Sequence, residues 1–234
     1  MRVRTATVTS CAALLACAAT IGVVGQGGFT PAQYRSGELP PISIRALGAG
    51  EVLLELAVSG GGVVRSVTTL RATPPFTEAL AAEAGRWQFT PAAEELEPAA
   101  GQPVFDPRPR TPVESKVLVA GVFRAPSLNT PTLGELPTDT GIASEETPFP
   151  VTMVTPPYPP LARDTGVVLV EVRVDPGGRV TDARVIRPAP PFDEPALDAA
   201  RRWTFRPARV RGTPVAALAY VVFGFRQPIT VKSP

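Results

Sequence analysis

The chain has 234 residues, room for two small domains or one domain with tails. It contains no histidine, which excludes serine–histidine triads, histidine general bases and histidine-based zinc sites. A net charge of +2 forces neither nucleic acid nor an anionic surface as a partner. Cys11 and Cys17 are the only cysteines and both lie near the N-terminus, so the rest of the chain has no disulfide framework or thiolate metal site. No cofactor and no metal is implied.

Arg2 and Arg4 precede an uncharged stretch, Thr5–Gln26, and residues 1–26 read as an export signal or a membrane anchor. Three fates are open for it. Cleavage after Ala18 or after Gly25 gives an exported soluble protein, and retention gives an inner-membrane anchor. The third is lipidation at Cys17 in Leu14-Leu15-Ala16-Cys17, against which Cys17 reads as an ordinary small apolar residue. Each fate puts the bulk of the chain outside the cytoplasm, in the periplasm or cell envelope. Residues 27–39 form a polar spacer.

A first unit spans residues 40–124, with strands at Glu51–Val58 and Val63–Arg71 around a Ser59–Gly62 turn, a helix at Glu78–Arg86 and a last strand near Lys116–Arg124. Residues 125–154 hold five prolines and no Lys or Arg, the composition of an extended, mobile acidic linker. The second unit spans 155–226. A short helical turn at Leu161–Asp164 precedes the strand Val167–Val174, whose valines alternate with Glu171 and Arg173. Asp175-Pro176-Gly177-Gly178 suits a type II turn with Gly177 at positive φ, and Arg179–Arg187 returns as a strand. Asp193 is a candidate helix N-cap, and Ala196, Ala199, Ala200 and Trp203 share a helical face. The run Val215–Phe225 is long, apolar and strand-like, with Ala219, Val221, Phe223 and Phe225 on one side. Residues 227–234 are a tail. The fold class is α+β, two tandem small units, each a helix packed on a small antiparallel sheet.

The two units share a phrase. Arg86-Trp87-Gln88-Phe89-Thr90-Pro91-Ala92 recurs 116 residues later as Arg202-Trp203-Thr204-Phe205-Arg206-Pro207-Ala208, and residues 40–92 match 156–208 at 22 of 53 positions without a gap. Such self-similarity marks an internal duplication, and packing of the two repeats against each other is expected. Trp203, Phe205 and Pro207 read as core. Arg201, Arg202, Arg206, Arg209 and Arg211 read as a solvated basic face, with an acidic partner as the other reading. Asp175, Asp182, Asp193 and Asp198 are spaced by turn, cap and helix needs and make no acid–base pair, so no enzyme is expected.

The second unit holds an ordered series: Tyr158-Pro159, Gly166, the strand after it, Gly177-Gly178-x-Val180, Leu197-Asp198-x-Ala200, the tryptophan phrase, Gly212-x-Pro214-Val215 and the closing strand. By this series it resembles the C-terminal domain of the TonB family. The first unit resembles a diverged copy, with Ile42-Ser43 in place of Tyr158-Pro159. The resemblance implies a periplasmic protein whose last strand takes a segment of an outer-membrane transporter by β-augmentation. Carried over, it points to Tyr158, Pro159, Leu218, Tyr220 and Val222 as partner-binding residues. Transducers of this family use a membrane-helix histidine to couple to the inner-membrane motor complex. This chain has none, and it also lacks their long spacer. A non-transducing binding or scaffold protein for protein or cell-wall partners is therefore the alternative.

Overall fold

The computed structural model describes residues 28–42, 46, 48–95, 109–125 and 135–228. The leader, with Cys11 and Cys17, and most of the tail lie outside them. Two short strands come first, β1 (Phe29–Thr30) and β2 (Gln33–Ser36). A hairpin follows, β3 (Gly50–Val58) and β4 (Val64–Ala72), then helix α1 (Phe76–Ala84). Next are β5 (Gln88–Thr90), β6 (Ala92–Glu95), β7 (Arg110–Val113) and the long β8 (Ser115–Phe123), followed by β9 (Thr138–Asp139) and β10 (Phe149–Thr152). The second half has the hairpin β11 (Gly166–Val174) and β12 (Val180–Arg187), helix α2 (Asp193–Arg201), and β13 (Thr204–Arg206), β14 (Ala208–Val210), β15 (Thr213–Val215) and β16 (Ala217–Phe225). The fold is α+β, mostly sheet with two helices among the described residues.

Seven strands form one sheet in the order β12-β11-β16-β8-β3-β4-β9. Its centre is a parallel pair, with Ala219 of β16 opposite Leu118 of β8 and Gly224 opposite Phe123. Side chains alternate between the two faces of a strand, so a strand buried on both sides must be apolar throughout. The stretch of β8 that pairs with β16, Leu118–Phe123, is apolar and buried throughout, and every residue of β16 is buried. One face of the sheet carries α2: Val168, Val170, Val172, Val221 and Phe223 pack with Ala196, Ala199, Ala200 and Trp203. Leu53, Leu118 and Ala120 from the first half complete this core. The opposite face carries α1: Val52, Leu54, Leu56 and Val119 pack with Phe76, Leu80, Ala84 and Trp87, and Leu169, Tyr220 and Val222 come from the second half. Each helix therefore covers a core built by both halves.

The two hairpins share a register. Leu53 opposes Arg71 as Leu169 opposes Arg187, and bulges fall at matching places in both. The turns are also alike but differ from the expected type. Positive φ falls on Gly178, not Gly177. Asp175 explains the shift, because its Oδ1 accepts the Gly177 and Arg179 amides at 2.8 and 2.9 Å, which favours a right-handed turn followed by a left-handed glycine. The Gly178 carbonyl then accepts the Phe205 amide at 2.8 Å, and a Cβ on Gly178 would lie 1.9 Å from the Phe205 oxygen. This contact joins the glycine turn to the tryptophan phrase. Gly62 and Phe89 make the same one.

Other local expectations need correcting. Residues 160–161 form a turn and no helix follows Tyr158-Pro159. Phe192 is the N-cap residue of α2, and Asp193 instead accepts the Ala189 amide at 2.8 Å. The stretch read as spacer holds β1 and β2, and the stretch read as a mobile linker holds β9 and β10. The linker is fastened by Glu55, which is buried in β3. Its Oε2 accepts the Ser144 amide at 3.0 Å, Ser144 Oγ at 2.6 Å and Thr147 Oγ1 at 3.0 Å.

Burial acts to raise the Glu55 pKa, but the bonds from Ser144 and Thr147, with Lys116 nearby, outweigh it and hold the carboxyl below its ordinary 4.5. A depressed carboxyl stabilises the fold above its unfolded pKa, and that stabilisation is lost as the pH falls through the folded value. Glu55→Gln is expected to cost about 1–3 kcal/mol near neutral pH. Denaturant midpoints against pH should show the gap to the unsubstituted protein closing only below pH 4.5.

Candidate partner-binding surface

The Tyr158-Pro159 segment is held from both sides. Trp203 is buried and its Nε1 donates to the Val154 carbonyl at 3.1 Å, tying the lead-in of the second half to the end of α2. Trp87 does the same to the Glu38 carbonyl at 2.8 Å. Tyr158 packs on Phe192 with ring centres 5.6 Å apart, and its hydroxyl donates to the Asp164 carbonyl at 2.7 Å. Pro159 is half-buried beside it, and Leu161 stands 89% exposed. Tyr158 and Pro159 thus lie at the surface, at the end of the sheet where β11 begins.

The other three residues that the sequence pointed to are elsewhere. Leu218, Tyr220 and Val222 are buried, and Tyr220 and Val222 are part of the α1-side core. The expected free edge of β16 is also absent, since β11 pairs along one side and β8 along the other. The physical reason is the apolar character of both faces of β16, which a single three-stranded unit with one helix could not cover. Tyr220 keeps its polar end satisfied in this core. Its hydroxyl donates to Glu171 Oε2 at 3.0 Å and accepts the Tyr34 amide at 2.7 Å. Burial, reinforced by the Glu171 carboxylate, pushes this phenol well above 10. Tyr220 therefore anchors the N-terminal strand β2 across the second half.

Residues at the end of the central strands also reach across. The Arg124 amide donates to the Gly224 carbonyl at 3.0 Å. The buried Arg226 donates from Nε to the Arg124 carbonyl at 2.7 Å and from its two Nη atoms to the Ala46 and Gly48 carbonyls. Burial lowers its guanidinium to about 10, so it stays charged at neutral pH.

The basic run does not form one patch. Arg201 pairs with Asp198 at 3.3 Å and Arg211 with Glu94 at 3.2 Å, while Arg206 and Arg209 bond the Ser144 and Gly212 carbonyls. Where the N-terminal ends of β8 and β16 separate, a cleft of about 250 Å³ opens, lined by Phe29, Ala32, Lys116 and Leu218 among others. With β16 enclosed, the outer edge of β12 pairs with no strand among the described residues. At the other end of the sheet β9 pairs with Arg71 and Ala72, the last two residues of β4.

A surface Tyr-Pro segment, a Gly-Gly hairpin and a helix delivering a buried tryptophan to the sheet all fall within one stretch of the chain. Residues 154–226 match the family model of the Gram-negative bacterial TonB protein C-terminal. No curated protein matches the chain. The TonB C-terminal family consists of energy-transducer and protein-interaction domains, which generally interact with outer-membrane transporters. This match suggests a TonB-like function in the cell envelope. Among the described residues no helix is long and apolar enough to cross a membrane. The match runs from the residue whose carbonyl Trp203 holds, Val154, to the arginine that clasps the first half, Arg226.

The sequence pattern does not mark β1, β2, β9 or β10 as strands. The apolar pattern on both faces of Val215–Phe225 was the available signal for the enclosed strand.

Proposed function

We propose that the chain is a TonB-type protein of the cell envelope that binds a protein partner, an extended segment of an outer-membrane transporter, without using its last strand and without coupling to the inner-membrane motor complex. The first half acts as a diverged copy of the C-terminal domain and fills the edge that the resemblance assigns to the transporter. The observation that carries this reading is the pairing of β16 with β8, over a stretch that matches the TonB C-terminal family. The 22 identical positions and the shared hairpin register support the duplication, and the absence of histidine supports a non-transducing role. Tyr158 and Pro159 remain contact residues in this reading, while Leu218, Tyr220 and Val222 serve as core.

The test uses the exported full chain with peptides from the periplasmic N-termini of transporters of the same cell, followed by calorimetry and amide exchange. Binding should occur at micromolar strength or weaker, with exchange in β16 unchanged. Binding that frees β8 and re-protects β16 with the peptide would sink the enclosed-strand reading. If no transporter peptide binds the folded chain, the scaffold reading for other envelope partners replaces the transporter one.

A further inference from the structure

The two hairpins present matching outer edges, and among the described residues the C-terminal end of only one of them, β4, is paired with a further strand. On β4 the segment around β9 adds antiparallel, with Arg71 opposite Asp139 and Ala72 opposite Thr138. The Thr140 and Gly141 amides donate to the Leu70 carbonyl at 2.9 and 3.3 Å, and Thr140 Oγ1 donates to the Thr69 carbonyl at 3.0 Å. Arg71 Nε donates to Asp139 Oδ1 at 2.7 Å, and its Nη1 holds Glu51 at 3.0 Å. A Cβ on Gly141 would sit 2.9 Å from the Thr69 oxygen, so the added strand approaches this edge through a glycine.

By register, Val185, Ile186 and Arg187 of β12 stand where Thr69, Leu70 and Arg71 stand in β4. Among the described residues no strand pairs with this edge. Arg187 directs Nη1 to the Gly37 carbonyl at 2.7 Å and Nη2 to Glu38 at 3.2 Å. Its Nε, the nitrogen that takes Asp139 in Arg71, donates to no described residue. Arg184 is paired with Glu171 at 2.7 Å, so Arg187, partly exposed and with its Nε turned to no described acid, is the cation on β12 that can meet an acidic visitor. Pro188 in place of Ala72 removes one edge amide, leaving the Val185 and Ile186 carbonyls to receive a visiting strand.

We infer that the open edge of β12 takes an extended segment of a partner protein, antiparallel to it, with an acidic side chain opposite Arg187 and a glycine two residues further on. This names the surface for the partner-binding reading above and rests on it. Backbone pairing supplies affinity to such an added strand, and side-chain matching at alternate positions selects it. A second copy of the chain fits less well. Asp182 could oppose Arg187 across two β12 strands, but Arg184 would then stand where the glycine must be, and β12 contains no glycine.

The probe is a synthetic peptide copying residues 136–142, extended by a photo-crosslinking residue, and offered to the exported full chain. It should crosslink to residues 184–188. Replacing its aspartate by asparagine should weaken binding about fivefold, the limit for an exposed ion pair. Arg187→Gln should give the same loss, and the two changes together no further loss. The peptide change keeps the test readable if Arg187→Gln loosens the fold. Transporter peptides with an acid-x-glycine run should compete.

Crosslinks confined to residues 69–72, or none because the chain's own N-terminal residues fill the edge, would overturn the inference. So would equal binding of the asparagine peptide. Transporter peptides that bind without displacing the probe would overturn it while leaving the partner reading intact. A probe that behaves as expected while no transporter peptide binds would uphold the edge and remove the transporter.

Discussion

A fragment of residues 150–234, which holds the whole TonB C-terminal match, is expected not to persist as a folded monomer. Cutting it away from the first half uncovers Leu169, Tyr220 and Val222, all fully buried in the intact chain. Exposing side chains of this size costs about 1.5–3 kcal/mol each, and a domain of this size has only about 5–15 kcal/mol of stability to lose. The cut also opens the β16 edge along its length, an invitation to pair with another copy. Light scattering behind size exclusion should find oligomers or unfolded chain, and adding residues 28–149 as a separate fragment should restore a folded one-to-one complex. A monodisperse, cooperatively melting fragment would mean that the first half is dispensable. In that case β16 could receive a partner strand after all, and the enclosed-strand reading would fall.

Much of this arrangement is legible in the sequence, because it rests on local chemistry. The valine alternation of β11, the Gly-Gly turn and the alanine face of α2 each follow from a few neighbouring residues, and they fall within a residue or two of the expected places. Sequence spacing also places Trp203 in the core, where it is buried. What escaped was long-range. Val215–Phe225 was read as a strand with a core face and a binding face, although Leu218, Tyr220 and Val222 are as apolar as a core requires. Which strand lies beside β16 depends on the first half, more than ninety residues away, and periodicity within one strand cannot reveal it. The turn type was missed for a different reason. Pro176 and Gly177 fit a type II turn by identity, but the Asp175 carboxylate and the Phe205 contact move the left-handed residue to Gly178. Residues 27–39 are polar enough to suit a spacer and 125–154 a mobile linker, yet the Tyr220 hydroxyl and buried Glu55 supply the polar partners that hold them.

The second large effect is expected from Trp203→Ala. The indole is 1% exposed, meets Phe205 and Phe223 with ring centres 6.0 and 5.9 Å away, and holds the Val154 carbonyl. Truncating a buried tryptophan costs about 3–5 kcal/mol, which for a chain of this length lowers the melting midpoint by roughly 10–15 °C. The location of the loss matters as much as its size. Trp203 lies in the α2-side core and Trp87 in the α1-side core, but both cores are built on the same central strands. Val221 faces one core and Tyr220, its neighbour in β16, faces the other, so one cannot unravel while the other keeps its wall. Trp87, the one tryptophan left in the variant, should therefore report the same lowered midpoint by fluorescence as circular dichroism reports for the backbone. If Trp87 melts at the unsubstituted temperature while dichroism loses part of its signal earlier, the two halves are separable domains that merely touch. The β8–β16 pair would then be a contact a partner strand could replace. A single shared transition makes the central pair the spine of one fold, and any partner must then be sought at the sheet's open end.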